Sequence, residues 1–252
     1  MRRSELAAAL LTGACSIGLL VGPVAPAAAA SDSAARTSPR SACVPITITA
    51  GGRYDGCFRS EDPAVPAVAV TTTERVVIHD ARIEHAGEGL ASDTVSADIV
   101  VRDTRFVALA PETSEPVEQR AVALFRPAAF VASYNRFSKG HGISINADEQ
   151  VVEPLRIRFN VSIDIGRFGH PTEPNCCVQF LQLDKVRAAA AIAWNKTSNE
   201  AGRSSVEDNI NLHDSSGLGP EQPLDVHHNL ISGAYPESAL APGADCRTRP
   251  AR

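Results

Sequence analysis

Aromatic residues are scarce in this chain, at 5% of 252 residues with a single Met and a single Trp, although hydrophobic residues make up 44%. A core so poor in large rings has to be filled by Val, Ile, Leu and Ala, which suits a narrow interior. An excess of basic residues is also lacking, because the net charge is -5. Phosphate binding needs clustered Lys and Arg, so the composition argues against a nucleic-acid partner.

Several catalytic and metal-binding signatures are missing as well. The sequence contains no P-loop, GxGxxG, HExxH or GxSxG motif, which removes several common enzyme classes. No two cysteines have CxxC spacing, so a zinc site is disfavoured. What remains are patterns of short apolar runs and one dense polar cluster.

The N-terminus has the features of a secretory signal peptide. Residues 1–30 begin with two arginines, continue with an Ala/Leu/Gly run and end in PVAPAAAA, which predicts cleavage after Ala30. A transmembrane anchor is less favoured, because Gly and Pro interrupt the run. Residues 31–42 are small and polar, and we expect them to be disordered. The mature protein is therefore expected to be secreted, without a membrane partner.

Cysteine usage fits an exported protein. Of six cysteines, Cys15 lies within the signal peptide, so five remain. Cys43 and Cys57 bracket a segment with a strand and a Gly-Gly turn, and export makes a disulfide between them reasonable. Closing so short a loop contributes about 3 kcal/mol and would fix the first end of the fold. Pairing stays open among the others, which are Cys176, Cys177 and Cys246.

A short apolar run that ends on Asn or Asp recurs along the chain at intervals of 23 to 35 residues. In every copy the residue three positions earlier is apolar. The terminal residues are Asp80, Asp103, Asn135, Asn160, Asn195 and Asn229. A repeat of this length with variable insertions is typical of a solenoid, whose units cannot bury a hydrophobic face alone.

These runs predict strands, since they are short, rich in Val and Ile, and followed by turn residues. Asn and Asp tolerate the left-handed backbone region, and Asn side chains stacked on adjacent strands form ladders. The pattern therefore predicts an all-β parallel β-helix of about six coils over residues 43–236, with an irregular tail at 237–252. Trp194 shares a column with Tyr134, Phe159 and His228, which predicts a structural stack rather than a sugar platform. The alternative fold is a β-sandwich with asparagines in its turns.

Several segments resemble the secreted right-handed parallel β-helix proteins of the pectate-lyase-like superfamily. They lie between Pro45 and Pro236 and include ITITAGGRYDG, VQFLQLDKV, IAWNKTSNEAGRSSVEDNINLHDSSG and LDVHHNLISGAYP. The resemblance implies a single-stranded right-handed β-helix, but not a reaction, because this superfamily includes lyases, glycoside hydrolases, epimerases and proteins without known activity. Its members continue with further coils after the GAYP segment. Here PESALAPGADCRTRPAR follows, which predicts a shortened protein.

The polar cluster VEDNINLHD is the candidate site. Ile210 and Leu212 should face inward, so the period of two projects Asn209, Asn211 and His213 outward. Earlier coils add further polar and charged residues, which are Ser144, Asn146, Gln182, Asp184, Lys185 and Arg187. A row of carboxylate, amide and basic groups along a groove is what binding of an acidic polysaccharide requires.

This cluster could perform β-elimination on a uronate. Ca²⁺ bound by Glu207, Asp208 and Asn209 would neutralise the substrate carboxylate, and Lys185 or Arg187 would take the proton from the adjacent carbon. Substrate-binding roles fall to Asn146, Gln182, Asn211 and His213. In the alternative interpretation, Asp208 and Asn209 satisfy backbone groups at a corner and the charged side chains are simply solvated.

A transition-metal site is a weaker hypothesis. His213, His227 and His228 lie near Asp214 and Asp225, but spacing fixes no third ligand, and exposed histidines beside a turn are the default. Two functions therefore remain. The first is lyase-like cleavage of an acidic polysaccharide by a monomer, with Ca²⁺ as the implied cofactor. The second is a non-catalytic glycan-binding or structural extracellular module, including an inactive truncated relic.

Overall fold

The computed structural model describes residues 43–110, 119–166, 178–204 and 206–234. Every regular element in these ranges is a β-strand, and the ranges hold no helix of the length and apolarity needed to cross a membrane. Several predictions fall on residues outside these ranges. They concern the signal peptide (1–30), the mature N-terminus (31–42), the tail (237–252), and Cys176, Cys177 and Cys246.

The strands form two sheets, and the first contains seven of them. In spatial order these are β1 (Ile46–Ile48), β3 (Val68–Val70), β5 (Leu90–Ser92), β8 (Arg120–Phe125), β11 (His141–Asn146), β14 (Leu181–Asp184) and β17 (Ile210–His213). Each strand pairs in parallel with the next one in this order. One outer face of this sheet carries the candidate site.

The second sheet has two halves, which are joined by the long strands β2 (Gly52–Ser60) and β4 (Val76–His85). One half continues from the first part of β4 through β6 (Asp98–Arg102), β9 (Ala129–Ser133), β12 (Leu155–Arg158), β15 (Ala190–Ala193) and β18 (Asp225–His227). The other continues from its second part through β7 (Arg105–Ala108), β10 (Arg136–Ser138), β13 (Val161–Ile163), β16 (Lys196–Ser198) and β19 (Leu230–Ser232).

Successive repeats of the chain thus add one strand to each ladder, which makes the described part a parallel, solenoid-like β-fold with curled sheets. Parallel pairing of all the named strands excludes the β-sandwich alternative, whose sheets are antiparallel. The first sheet has seven strands, one more than the six recurring runs predicted, because β1 and β2 form a first repeat in which Gly52 replaces the apolar residue three positions before Asp55.

The interior is a column of small and branched residues, as the composition indicates. Ile78, Val101, Ala132, Ile157 and Ile192 occupy equivalent inward positions on neighbouring strands, and all are buried. The few aromatic residues of the core also stack along the solenoid. The rings of Phe106 and Phe137 lie 5.0 Å apart and nearly parallel. Alternation of inward and outward residues therefore explains which face of each strand is buried.

Asparagines form a buried ladder at the corner between the two halves of the second sheet. Asn160 Oδ1 accepts hydrogen bonds from Asn135 N and Asn135 Nδ2, both at 3.0 Å. In the same way Asn195 Oδ1 accepts hydrogen bonds from Asn160 N and Nδ2, and Asn229 Oδ1 accepts them from Asn195 N and Nδ2. Asn160 Nδ2 also donates to the carbonyl of Ala132 at 3.0 Å. The predicted ladder is confirmed for these four asparagines.

Asp80 and Asp103 do not belong to this ladder, so their predicted place in the column is wrong by one residue. Strand register aligns them with Tyr134, and Thr104 takes the position equivalent to Asn135. Both aspartates have positive φ, at 49° and 51°, as Tyr134 does at 58°. The Thr104 backbone N donates to Asn135 Oδ1 at 3.0 Å. The left-handed residue of the corner is thus Asp in early repeats and aromatic in later ones.

The predicted aromatic stack is confirmed at this left-handed position. Ring centroids of Tyr134 and Phe159 are 5.0 Å apart, those of Phe159 and Trp194 are 6.4 Å apart, and those of Trp194 and His228 are 4.2 Å apart. The rings are nearly parallel in all three pairs. Their stacking favours this corner conformation, although a bulky residue at positive φ is strained.

The predicted Cys43–Cys57 disulfide is present, with a Cα–Cα distance of 4.9 Å. It connects the described N-terminal residue to β2 in the first repeat. Disulfides persist in oxidising compartments, which is compatible with an extracellular protein. The bond constrains the end of the solenoid, where β2 pairs with β4 alone.

Stability should fall in mild acid because of one buried histidine. Burial lowers the pKa of His85 from 6.5 to about 4, although the hydrogen bond of its Nδ1 to Gly87 O, at 2.7 Å, acts in the opposite direction. The unfolded chain therefore binds a proton that the folded one does not between those pH values. The contribution of His85 to the free energy of unfolding is therefore fully present above pH 6.5. It falls by about 3 kcal/mol in all as the pH drops to about 4.

Urea unfolding between pH 7 and pH 4.5 tests this, with His85→Asn as the comparison. The amide keeps a donor for Gly87 O but does not titrate, so the variant should show a clearly flatter decline. Staying above 4.5 keeps Glu84 out of the comparison. Burial raises the pKa of Glu84, but hydrogen bonds from Arg59 and Arg82 outweigh it and lower that pKa below 4.5. Equal slopes for the two proteins would contradict the prediction.

Candidate functional site

Two rows of outward side chains run across the strands of the first sheet. The first row is Ala123, Ser144, Gln182 and Asn211, and the second is Phe125, Asn146, Asp184 and His213. Between the rows, Leu124, Ile145 and Leu183 face the core and are buried. The rows follow from alternation along each strand and from the direct register between strands. The predicted substrate-binding residues Asn146, Gln182, Asn211 and His213 therefore lie on one face.

Asp184 is the most connected residue of the second row. Asn146 Nδ2 donates to Asp184 Oδ2 at 2.6 Å, and His213 Nδ1 lies 2.9 Å from Asp184 Oδ1. A carboxylate can only accept in such a pair, so His213 Nδ1 is the donor, and in the neutral imidazole Nε2 is then the acceptor. The row thus holds a carboxylate–imidazole pair that amide contacts keep in place.

A groove of about 300 Å³ continues from these rows toward the earlier repeats. Its walls include Ser144, Asn146, Gln182 and Asp184 from the two rows. Further charged walls come from Glu88, Asp93 and Arg120. Arg120 Nη1 lies 3.9 Å from Glu88 Oε1. Most of its lining is polar, as in a site for a hydrated polymer, and Ala123, Leu124 and Phe125 supply the apolar part.

The three predicted calcium ligands do not converge. Asn209 is buried, its Oδ1 accepts from Asn199 Nδ2 at 2.9 Å and its Nδ2 donates to Gly233 O at 3.0 Å. Alternation predicted it outward, and this is wrong because the period of two does not extend past the start of β17. Asp208 accepts from Asn211 Nδ2 at 3.2 Å, and Glu207 accepts from Gln179 Nε2 at 3.0 Å.

The Asn209 side chain is therefore unsuited to hold Ca²⁺ together with Glu207 and Asp208. Within the residues that the structure describes, no cluster of three His, Cys, Asp or Glu side chains could hold a metal ion. The C-terminal histidines illustrate this. His227 and His228 approach within 2.6 Å through their Nδ1 atoms, and Asp225 Oδ2 lies 3.6 Å from His227 Nε2.

Lys185 and Arg187 lie just beyond the second row. Lys185 directly follows Asp184 and has a positive φ of 52°. Its peptide is held on both sides, because its N donates to His213 O at 2.9 Å and its O accepts from Glu149 N at 2.7 Å. Arg187 is exposed two residues further on, between Val151 and Ser216. Both residues therefore follow the end of β14, the strand that carries Asp184.

Sequence reasoning placed Asp184 in the neighbourhood of the site but assigned it no role. Its signal was present, since Gln182 and Asp184 alternate with buried Leu181 and Leu183. What could not be seen was the register that sets Asp184 beside Asn146 and His213. Comparison with protein-family models, curated proteins and solved structures finds no match for this chain.

Proposed function

We propose that the protein is a secreted right-handed β-helix, similar to the pectate-lyase-like superfamily, that binds an acidic polysaccharide on the outer face of the first sheet. We further propose that it cleaves this polymer by β-elimination. One observation carries the proposal, namely the Asp184–His213 pair at 2.9 Å beside a groove lined by polar side chains. A polymer lying across the strands meets an equivalent outward position about every 4.8 Å.

The binding part of the proposal rests on the two rows. Ser144, Gln182 and Asn211 offer hydroxyl and amide groups in register on three adjacent strands. Such groups can donate to and accept from sugar hydroxyls. Arg120 also lines the groove, but Glu88 Oε1 lies 3.9 Å from its Nη1 and balances its charge. A chain of uronates would thus find polar contacts over several residues and positive charge at the end near Lys185 and Arg187.

The chemical step assigns the base to His213. Its Nε2 takes the proton from the carbon next to the substrate carboxylate, and the electron pair left behind forms a carbon–carbon double bond. The glycosidic carbon–oxygen bond breaks, and the Lys185 ammonium gives a proton to the leaving oxygen. Asp184 orients the imidazole and stabilises the imidazolium. Lys185 or Arg187 was the base predicted from sequence, but neither has a partner in the described residues that would orient it for proton abstraction.

The substrate carboxylate also has to be neutralised, because its negative charge opposes removal of the neighbouring proton. Arg187 is exposed and can pair with a carboxylate in bidentate fashion. Calcium binding through Glu207 and Asp208 stays a prediction. The β-elimination proposed here takes no step through the ion, and a chelator added to the assay shows whether it is needed.

Loss of activity in variants of the pair tests the function. Wild-type protein should release unsaturated products from polygalacturonate or alginate, followed as a rise in ultraviolet absorbance. Asp184→Asn and His213→Gln should each lower the rate at least about 100-fold, because each removes or misorients the base. His79→Gln is the matched control, since His79 Nδ1 also lies 2.9 Å from a carboxylate, that of Asp80, but on the second sheet.

Two outcomes contradict the proposal. If no polymer in a panel of uronate polysaccharides gives unsaturated products, the lyase activity is absent. If products appear but Asp184→Asn and His213→Gln keep the wild-type rate, the groove is not the site. Binding without turnover that the two variants weaken would support the non-catalytic glycan-binding module instead.

A further inference from the structure

The corner between the two halves of the second sheet carries exposed aromatic rings. Tyr134, Phe159 and Trp194 are exposed by 60%, 42% and 50%, and their φ angles are 58°, 58° and 61°. We call these three residues the aromatic corner. Positive φ strains a bulky residue, and exposure of a large ring gives up its burial energy. Both the backbone strain and the loss of burial energy occur in three successive repeats. Packing alone therefore does not explain why aromatic residues stand at these positions.

The stack shows only ring edges to solvent at its middle. Tyr134 and Phe159 are tilted by 5°, and Phe159 and Trp194 by 12°, so each ring covers a face of its neighbour. An aromatic edge carries partial positive charge, whereas the covered faces carry the negative charge. The Tyr134 hydroxyl and Trp194 Nε1–H add donors that have no protein partner among the described residues. Such an arrangement suits anions better than stacked sugar rings or bases.

Cations flank the aromatic corner on both sides. Arg102 and Arg158 occupy the position just before the aromatic column, in register on strands β6 and β12. On the other side Arg105 and Arg136 are direct partners on β7 and β10, and Lys196 lies at the equivalent position of β16. These five cations span four repeats, or about 14 Å along the solenoid. We call the five cations and the aromatic corner together the basic corner.

The charges of the basic corner are not balanced by the protein. No hydrogen bond or ion pair to another side chain is formed by any of the five cations within the described ranges. By contrast, Arg59, Arg75 and Arg126 each pair with a carboxylate. Arg158 Nε is buried without a hydrogen-bond partner in those ranges. Like charges in register on neighbouring strands destabilise a sheet, so an external anion would relieve a repulsion that the fold retains.

The acidic residues of this corner set its limits. Asp80 and Asp103 occupy the left-handed position in the earlier repeats, and Asp225 lies beyond Trp194 in the last one. Asp103 lies between Arg102 and Arg105 in sequence, so positive charge is in clear excess only from Arg136 to Lys196. It stands out the more because the whole chain has a net charge of -5.

We propose that the basic corner binds an anionic polysaccharide through carboxylate or sulfate groups, at a place separate from the groove. The repeated cations fit a polymer with regularly placed charges, because several weak ion pairs act together over its length. Single-stranded nucleic acid fits less well, since its bases need free aromatic faces to stack on, and both faces of Phe159 and Trp194 lie against neighbouring rings. A polymer held at this corner would keep the protein on its substrate, or on a second matrix glycan, independently of turnover.

Trp194 provides a direct probe, because it is the only tryptophan in the chain. Titration of the full chain with dextran sulfate or polygalacturonate should change its fluorescence and protect it from iodide quenching, whereas neutral dextran should not. The effect should weaken as salt rises, since screening reduces contacts between exposed charges. A difference between the two anionic polymers identifies sulfate or carboxylate as the preferred group.

Substitutions of arginine residues show whether the polysaccharide binds at the basic corner. The double substitution Arg105→Ala/Arg136→Ala should weaken binding at least about tenfold, which corresponds to losing about 1.4 kcal/mol. Arg75→Ala/Arg126→Ala removes the same charge from arginines that are paired with carboxylates and should have little effect. The groove variant His213→Gln should show the same Trp194 fluorescence response to dextran sulfate as the wild type, which separates this proposal from the lyase activity.

Four results would overturn the inference. They are equal binding of neutral dextran, equal weakening by the two double variants, loss of the Trp194 response in His213→Gln alone, and tighter binding of an oligothymidylate than of either anionic polysaccharide. The last result would assign the corner to single-stranded nucleic acid. Thermal melting of each variant shows that the folded protein is being compared.

Discussion

Replacing Asn160 by Ala should cost about 3 to 5 kcal/mol of folding free energy, although it changes neither charge nor backbone. Asn160 is fully buried, and its side chain bonds Asn135 on one side and Asn195 on the other. The alanine leaves the Asn135 backbone N and the Ala132 carbonyl without their side-chain partner. Each buried group left unsatisfied costs about 1 to 3 kcal/mol. The melting temperature should fall by about 10 °C.

Asn211→Ala is the matched control, because it removes the same amide from an outward position of the first sheet. The Asn211 side chain bonds only Asp208 in the described residues, at 3.2 Å. A surface change of this kind usually stays within about 0.5 kcal/mol. Urea unfolding of both variants measures the difference. If Asn160→Ala loses no more stability than Asn211→Ala, the asparagine ladder does not hold the corner.

A second large effect is expected from Gly142→Ala at the start of β11. A Cβ at Gly142 would lie 2.0 Å from the carbonyl oxygen of Phe180 and 2.8 Å from its carbonyl carbon. Backbone atoms cannot move aside as the end of a side chain can. The hydrogen bond from Gly142 N to Gln179 O, at 2.9 Å, fixes the same approach. We expect a loss of about 4 kcal/mol or separation of β11 from β14 at this end.

Gly219→Ala is the control, since nothing lies within 4 Å of its added Cβ. Amide hydrogen exchange locates the effect in the Gly142 variant, where protection should fall first in β11 and β14. Unchanged melting and unchanged protection would contradict the close approach of Gly142 to the Phe180 carbonyl. Because β11 and β14 carry Asn146 and Asp184, the same variant should also lose the candidate site.

Much of the fold could be predicted because chemically distinct residues, above all asparagines, recur once in each repeat. Asn135, Asn160, Asn195 and Asn229 are buried amides that need each other as partners, so their spacing reports the repeat directly. The aromatic residues that directly precede these asparagines recur with the same spacing and so indicate the same corner. Parallel pairing between strands followed from the run length and the Asn corner, and the structure confirms it.

The register of the early repeats could not be predicted in the same way. Asp80 and Asp103 look like members of the asparagine column, because Asp and Asn share turn preferences. They lie one residue earlier than the asparagines. Asp adopts a left-handed backbone without needing a side-chain partner. The ladder position, by contrast, requires an amide that both donates and accepts. Ala81 and Thr104 fill that position before the ladder begins. The difference between Asn and Asp therefore determines the register at this corner, which the spacing of apolar residues alone does not.

The candidate site shows a similar division. Alternation correctly placed Asn211 and His213 outward with Gln182 and Asn146, because all four lie inside strands or at their ends. It failed for Asn209, which precedes β17 and turns inward to Asn199 and Gly233. Phe180, at the equivalent position of the previous repeat, is also buried next to buried Leu181. The residue just before the strand is therefore buried in both repeats, next to the first residue of the strand, which also faces the core.

Net charge was the least informative property of the sequence. A value of -5 correctly describes the whole chain, but it averages over surfaces of opposite sign. Arg105 and Arg136 are 31 residues apart in sequence and come into direct register only through the repeat. Local charge on a solenoid depends on the column rather than on the segment. The basic corner could therefore be recognised only once the strands were aligned.

The most direct test of the proposed function is a crystal structure of Asp184→Asn bound to a tetrasaccharide of galacturonate or guluronate. This variant should bind the oligosaccharide and turn it over too slowly to consume it. We predict that the sugar lies across β11, β14 and β17, within hydrogen-bond reach of Gln182 and Asn211, with the carbon next to one carboxylate facing His213 Nε2. An oligosaccharide bound only at the basic corner, with nothing over these strands, would contradict the account.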